Sequence, residues 1–317
     1  MTAMRSDLVD IFIPSYHRSD NCLTVKYFKR LGWDMSRVHI FVDDEAGDID
    51  DYRGMCEKNG CKLHVFSMAE ARARYDYVHR ASPSRRSAGQ ARNMFQDYAA
   101  ANGIDFYVVQ DDDTTVFCKR LCGRKFNGKS YRNATLSEVR ATFMGIREMM
   151  MRRHIGVFGL SQSGDLIGGL ERNALLRHKV MNTTFYLLPY IYRGERGVQD
   201  DDTSLFTGIM NAGLFTGSLY QGIILHQMPS AKQSGGLTDL YNECKLLNKS
   251  LVVPIQFPSA VYAERQKKNG GRLHHHILGK FLEPRLLRNV GGRDNVAWDT
   301  YPEDVPFTNE PARRRNF

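Results

Sequence analysis

Two short apolar runs in this chain end in clusters of carboxylates, and that pairing narrows the possible folds more than any other feature. Val38–Val42 (VHIFV) runs into Asp43-Asp44-Glu45, and Ile104–Val109 (IDFYVV) runs through Gln110 into Asp111-Asp112-Asp113. Short apolar runs bounded by polar turn residues read as buried strands, and Leu8–Pro14 and Lys62–Phe66 read the same way. Helical stretches separate them. One, around Thr24–Leu31, stops at Gly32; another ends near Gly60. A third, Ser87–Asn102, carries Ala91, Met94, Phe95 and Tyr98 at helical spacing, with Gly103 beyond its end. Strands separated by such helices predict an α/β fold, with a mostly parallel sheet and helices on both faces. Ligands bind such sheets at the carboxyl ends of the strands, where both acidic clusters fall.

Composition removes alternatives. With 42% hydrophobic and 25% charged residues in 317, disordered, collagenous and coiled-coil classes are excluded. The net charge of +9 and a pI near 9.2 favour an anionic partner such as nucleic acid, an acidic membrane surface or a phosphorylated substrate. No apolar run reaches the roughly 18 residues of a membrane span. Met1–Asp7 lacks the apolar core of a signal peptide, so a soluble, cytoplasmic protein with no membrane partner is expected. The six cysteines are scattered without a CxxC pair, which fits reduced, mostly buried thiols. Cys118 and Cys122 could reach one metal, but no partner pair follows at zinc-site spacing.

Three successive carboxylates at the end of a buried strand repel one another unless a cation or hydrogen-bond donors neutralise them. Oxygen ligands suit Mg²⁺ or Mn²⁺ bridging a diphosphate. The plain alternative for Asp111–Asp113 is a solvated acidic turn. Gly89, Arg92 and Asn93, in the helix before that strand, would bring a tight turn, a cation and an amide to the same edge. Farther on, Thr135 and Glu138 make a capping-box start to a helix carrying Val139, Phe143, Ile146 and Met150 on one face, and Ile155–Leu160 reads as a strand.

The run SAGQARNMFQDYAAANGIDFYVVQDDD (Ser87–Asp113) resembles the ARN-helix and DxD block of GT-A-fold glycosyltransferases, and Ile11–Tyr16 is similar to their first strand and nucleotide-binding turn. The resemblance implies a GT-A, Rossmann-like domain using a nucleotide-diphosphate sugar, with UDP the expected nucleotide. It assigns donor binding to Pro14, Ser15, Tyr16, Arg18, Asp43, Asp44, Gly89, Arg92, Asn93, Asp111 and Asp112. Asp111 and Asp113 would hold the metal. Asp201-Asp202 resembles the family's Glu-Asp acceptor motif, making Asp202 the favoured base and Asp201 the alternative. His226 would complete the metal shell, and Lys232, six residues later, would grip the diphosphate; His226 as a structural residue remains the alternative. The consecutive imidazoles His274–His276 cannot all face one ion, so a surface or interface run is expected there.

The acceptor is read from charge. Lys119–Arg153 holds ten basic residues against two glutamates. Its first part, Lys119, Arg120, Arg124, Lys125, Lys129 and Arg132, has Phe126 and Tyr131 among it, which suits a phosphate backbone and an unstacked base. The alternative is a solvated helix face at Arg140, Arg147 and Arg152. The IPSYxR start (Ile13–Arg18), the ARN helix and the triplet are together similar to the TET/JBP-associated glycosyltransferases. That resemblance implies a 5-hydroxymethylpyrimidine acceptor in DNA, as in phage base modification and base J synthesis. A glycosyltransferase building a cell-surface glycan, or an inert nucleic-acid-binding protein on a GT-A scaffold, are the competing readings. The expected organisation is a catalytic domain over 1–236, nucleotide-sugar binding in 1–117 and the acceptor side in 118–236, with a C-terminal extension, 237–317, packed on it.

Overall fold

The first strand alternates its side chains between two apolar environments, which requires cover on both faces of the sheet it starts. In the computed structural model, Ile11 and Ile13 belong to one buried cluster and Phe12 to another. The structure describes residues 9–74, 88–120, 131–162, 175–176, 179–190, 200–212, 214–219, 223–227, 250–266, 271 and 273–278.

The first half alternates β1 (Asp10–Pro14), α1 (Leu23–Leu31), β2 (Val38–Asp43), α2 (Ile49–Asn59), β3 (Lys62–Phe66), α3 (Met68–Arg74), α4 (Ala88–Ala101) and β4 (Phe106–Gln110). Then follow β5 (Thr114–Arg120), β6 (Tyr131–Asn133), α5 (Leu136–Arg153), β7 (Val157–Leu160), β8 (Leu175–Leu176), β9 (Thr183–Leu187), α6 (Asp201–Asn211), β10 (Ser218–Leu219) and β11 (Ile223–Gln227). Residues 250–256 are helical, and β12 (Val261–Arg265) and β13 (Leu273–Ile277) form an antiparallel pair.

Local chemistry sets these boundaries. Gly32 and Gly60 end α1 and α2 at φ 82° and 75°, left-handed values that a side chain would resist. Thr135 starts α5 through the expected capping box with Glu138.

The main sheet has the order β3-β2-β1-β4-β9-β7-β10-β8. The β3-β2-β1-β4 half is parallel, as the alternation predicts. β9, not anticipated from the sequence, enters antiparallel to both β4 and β7. β7 therefore runs in the same direction as β4, and the chain entering β9 arrives at the carboxyl edge. Helices α1, α2 and α5 pack one face through Phe28, Tyr52 and Phe143; α4 and α6 pack the other through Phe95, Leu205 and Ile209. A three-stranded sheet, β11-β5-β6, stands beside the carboxyl edge of β4. Among the described residues no helix is long and apolar enough to cross a membrane, and Cys22, Cys56, Cys61 and Cys118 are free and buried.

Candidate active site

The turn after β4 is pinned from below before it presents anything. The Gln110 amide donates to Thr114 Oγ1, and Gln110 Oε1 accepts from Thr183 Oγ1 at 2.7 Å. Thr24, at the start of α1, donates its hydroxyl to the Asp111 carbonyl and its N–H to the Asp112 carbonyl (3.2 Å), and accepts from the Thr114 N–H (2.9 Å). These bonds fix the backbone of the triplet, and nothing in the sequence singles out Thr24 for that role.

The middle carboxylate is turned inward. Asp112 accepts from Ser15 Oγ at 2.7 Å and pairs with the Arg18 guanidinium, while Tyr52 OH lies 2.8 Å from Ser15 Oγ and accepts from the Arg18 N–H at 2.9 Å. Burial pushes the Asp112 carboxyl above the usual carboxylate range, against the pull of Arg18 and Ser15. Three residues expected to bind donor, Ser15, Arg18 and Asp112, thus form one internal network joining the turns after β1 and β4. Pro14 ends β1, and the Tyr16 ring rests 3.9 Å from that of His17.

Arg92 joins the two acidic clusters. It projects from the first turns of α4, donates to Asp111 Oδ1 at 2.8 Å and pairs with Asp201 at the start of α6. The ion pairs are only partly exposed, with the Arg92 side chain at 11%. Gly89 and Asn93 are buried residues of α4, inside the helix expected over Ser87–Asn102.

Asp202 has a partner that sequence reasoning missed. Lys179, in the approach to β9, places its ammonium 2.7 Å from Asp202 Oδ2 and 3.3 Å from Thr203 Oγ1. The antiparallel entry of β9 is what delivers it to this edge. Asp202 keeps 24% of its side chain exposed, against 11% for Asp201.

Other expected residues take different places. Asp43 is buried, its Oδ1 accepting from the Glu45 N–H at 3.1 Å. Asp44 Oδ1 accepts from the Met68 N–H at 2.8 Å at the start of α3, and Glu45 forms a two-pronged pair with Arg72. In the basic segment, Lys119 and Arg132 converge on Glu138, at 2.8 and 2.6 Å. Arg132 foremost, with Lys119, holds the Glu138 carboxyl well below its usual range. Arg140 and Arg147 lie over the Trp33 and Phe106 rings, and Arg152 pairs with Glu148. Tyr131 stays exposed at the start of β6. Arg120 ends β5; Arg124, Lys125, Lys129 and Lys232 lie outside the described residues.

For a divalent ion, Asp111 is partly exposed while Asp113, like Asp112, is buried, and His226 sits in β11 opposite Val116, close along the strand pair to Asp113. Two carboxylates and one imidazole are a donor set suited to Mg²⁺ or Mn²⁺. Among the described residues no three His, Cys, Asp or Glu side chains stand grouped as a metal site.

The His274–His276 run departs from expectation. It forms β13, where alternation sends His275 inward, 9% exposed, with Nδ1 3.0 Å from Asp200 Oδ2. His276 stays on the outer side with Glu264 and Tyr262.

Residues 9–236 match the sequence profile of the TET-Associated Glycosyltransferase family. No match was found among curated proteins. Solved structures with a similar arrangement include glucosyl-3-phosphoglycerate synthase from Mycobacterium tuberculosis in complex with Mg²⁺ and uridine diphosphate. It aligns at 10% identity and TM-score 0.41, over 86% of this chain and 87% of that one. The same enzyme with Mn²⁺, UDP-glucose and phosphoglyceric acid aligns at 9% identity and TM-score 0.41, over 86% of each chain. Mouse xyloside xylosyltransferase 1 in its apo form aligns at 9% identity and TM-score 0.33, over 67% of this chain and 84% of that one.

Proposed function

The chain belongs to the TET-associated glycosyltransferase family, and from that premise we propose that it moves a sugar from a nucleotide-diphosphate donor, UDP-linked, to the hydroxyl of a 5-hydroxymethylpyrimidine in DNA. The observation that carries this reading is the Arg92 bridge, which brings the strand-end carboxylate Asp111 and the helix-start carboxylate Asp201 to one edge of the sheet. A donor-binding carboxylate and an acceptor-side carboxylate then share one site.

Asp111 and Asp113, with His226, would hold Mn²⁺ or Mg²⁺. When bound, the ion would offset charge on the diphosphate leaving group. The protein's own groups do the rest. Arg92 supplies a forked cation next to the place where phosphate oxygens would lie, and Lys232 would add a second charge. Asp202, the more exposed of the two α6 carboxylates, takes the proton of the acceptor hydroxyl. In the inverting course that oxygen bonds to the anomeric carbon as the bond from this carbon to the diphosphate oxygen breaks, and the nucleoside diphosphate leaves. Lys179, 2.7 Å from Asp202, offsets the carboxylate's charge and fixes its direction.

The DNA half of the reading rests on the basic residues of Lys119–Arg132 and on the exposed Tyr131, which pairs with Arg120 at the end of β5. A hydroxymethyl group inside a duplex is reached by flipping its base, and a basic strand pair bearing an exposed aromatic suits that task.

The test is transfer from labelled nucleotide-sugars to DNA containing 5-hydroxymethylcytosine, 5-hydroxymethyluracil or neither, with and without Mn²⁺. Transfer that requires both the hydroxymethyl group and the metal supports the proposal. Transfer indifferent to the hydroxymethyl group sinks the acceptor reading, and undiminished activity in Asp111→Asn and Asp113→Asn sinks the metal reading.

A further inference from the structure

Beyond residue 236, where the family match ends, residues 250–266 and 273–278 are described and pack against α6. Helical residues 250–256 and the β12–β13 hairpin cover the outer side of α6. Val253, Ala260 and Val261 pack with Met210, and Gln256 Oε1 accepts from Ser204 Oγ at 2.6 Å. Ser250 Oγ donates to the Leu273 carbonyl at 2.8 Å and ties the helical stretch to the hairpin. The polar contact at the end of α6 nearest the active site is the one between His275 and Asp200, two residues that are 9% and 4% exposed.

Asp200 occupies a conformational pivot. Its φ of 62° is in the left-handed region, which residues with side chains rarely adopt. Its carbonyl accepts from the Thr203 and Ser204 N–H groups at 3.0 Å each, and its Oδ1 accepts from Thr203 Oγ1 at 3.0 Å. The next two residues are Asp201, paired with Arg92, and Asp202, paired with Lys179. A relaxation of the Asp200 backbone toward the common negative-φ regions would swing both carboxylates. Its remaining carboxylate oxygen, Oδ2, faces His275.

We propose that His275 is a positioning residue for the acceptor side of the active site: from the C-terminal hairpin it clamps Asp200, so that Asp201 and Asp202 are presented to Arg92 and Lys179. The proposal rests on the reading of Asp201 and Asp202 as acceptor-side carboxylates. It extends the working site beyond the matched family region. The Asp111–Asp113 turn, held by Ser15, Arg18 and Thr24, makes no direct contact with His275 among the contacts described, so nucleotide affinity is expected to survive removal of the clamp.

The test uses the full chain with His275→Ala and His275→Asn, the latter placing an amide N–H near the position of Nδ1. Three quantities are measured: kcat and KM for transfer to hydroxymethyl-containing DNA, Kd for the nucleoside diphosphate, and carbodiimide labelling of Asp201 and Asp202 by mass spectrometry without substrate. The expectation for His275→Ala is a fall in kcat of about 10- to 100-fold with nucleotide Kd unchanged within about twofold, and for His275→Asn recovery of kcat to within about threefold of wild type. Labelling of both aspartates should rise in the alanine variant and return toward wild type in the asparagine variant. Unchanged kcat and labelling in His275→Ala overturn the proposal. So does an equal loss in both variants with nucleotide affinity falling in parallel, since that describes general loosening of the fold. If the wild-type protein transfers no sugar to DNA, the acceptor reading fails alone, and the labelling pattern still decides whether the clamp exists.

Discussion

Gly159, in the middle of β7, should tolerate no side chain, and the reason links core packing to the active site. A Cβ built there would lie 2.4 Å from Val180 Cγ1, 3.2 Å from Val180 Cβ and 3.1 Å from the Thr183 carbonyl oxygen. Carbon atoms in good contact sit about 3.5–4.0 Å apart, so the first overlap exceeds about 1 Å. Val180 is 3% exposed, and the Thr183 oxygen is backbone that cannot rotate aside. The expected cost of Gly159→Ala is therefore that of an overpacked core, about 1–3 kcal/mol. Val180→Ala alone removes two buried methyl groups, at about 1.5–2.5 kcal/mol. In the double variant the 2.4 Å contact disappears, so its destabilisation should fall short of the sum of the two by about 1–2 kcal/mol. Urea unfolding of the three variants measures this coupling. Val180 is next to Lys179, so Gly159→Ala should also displace the ammonium from Asp202 and lower transfer activity beyond what the loss of folded protein explains. Additivity within about 0.5 kcal/mol would refute the packing argument, and full activity per folded molecule would refute its link to Lys179.

Other expectations concern single groups. Arg92→Lys keeps the charge but loses the fork spanning Asp111 and Asp201, so kcat/KM should fall about 10- to 100-fold, and an unchanged value would show the bridge to be incidental. Glu138→Gln releases Lys119 and Arg132 from their shared carboxylate; DNA binding should tighten and its salt dependence steepen, and an unaltered salt slope in a binding titration would remove these two cations from the DNA surface. His64 lies 2.9 Å from the buried His39, which in turn contacts Asp10. Burial, and then the neighbouring His39, lower the His64 pKa from 6.5 to about 4. The fold thus holds the neutral imidazole, whose stabilisation is complete above pH 6.5 and is lost as pH falls through that window. Discounted for partial exposure, the loss should be about 1–2 kcal/mol, and a pH series of unfolding curves in which His64→Gln shows the same acid slope as wild type would contradict it.

The elements whose signals are local were legible from the sequence. The four strands β1 to β4, the left-handed glycine ends of α1 and α2, and the Thr135–Glu138 capping box each follow from residues a few positions apart. The placement of Asp111–Asp113 at the carboxyl edge was legible too, because a parallel sheet puts the carboxyl ends of its strands together.

What the sequence alone determined about this protein is its layered α/β architecture and the residue types gathered at one edge, since periodicity and strand direction act over short stretches of chain. Only the tertiary structure decided which partner each carboxylate takes. Asp112 turns in to Arg18 and Ser15, Asp111 and Asp201 meet through Arg92, β9 reverses direction and delivers Lys179 to Asp202, and His275 reaches Asp200 from beyond the matched family region. Each of these is a contact between segments far apart in the chain, set by which faces pack and which strands pair, and neither choice is encoded in a local pattern.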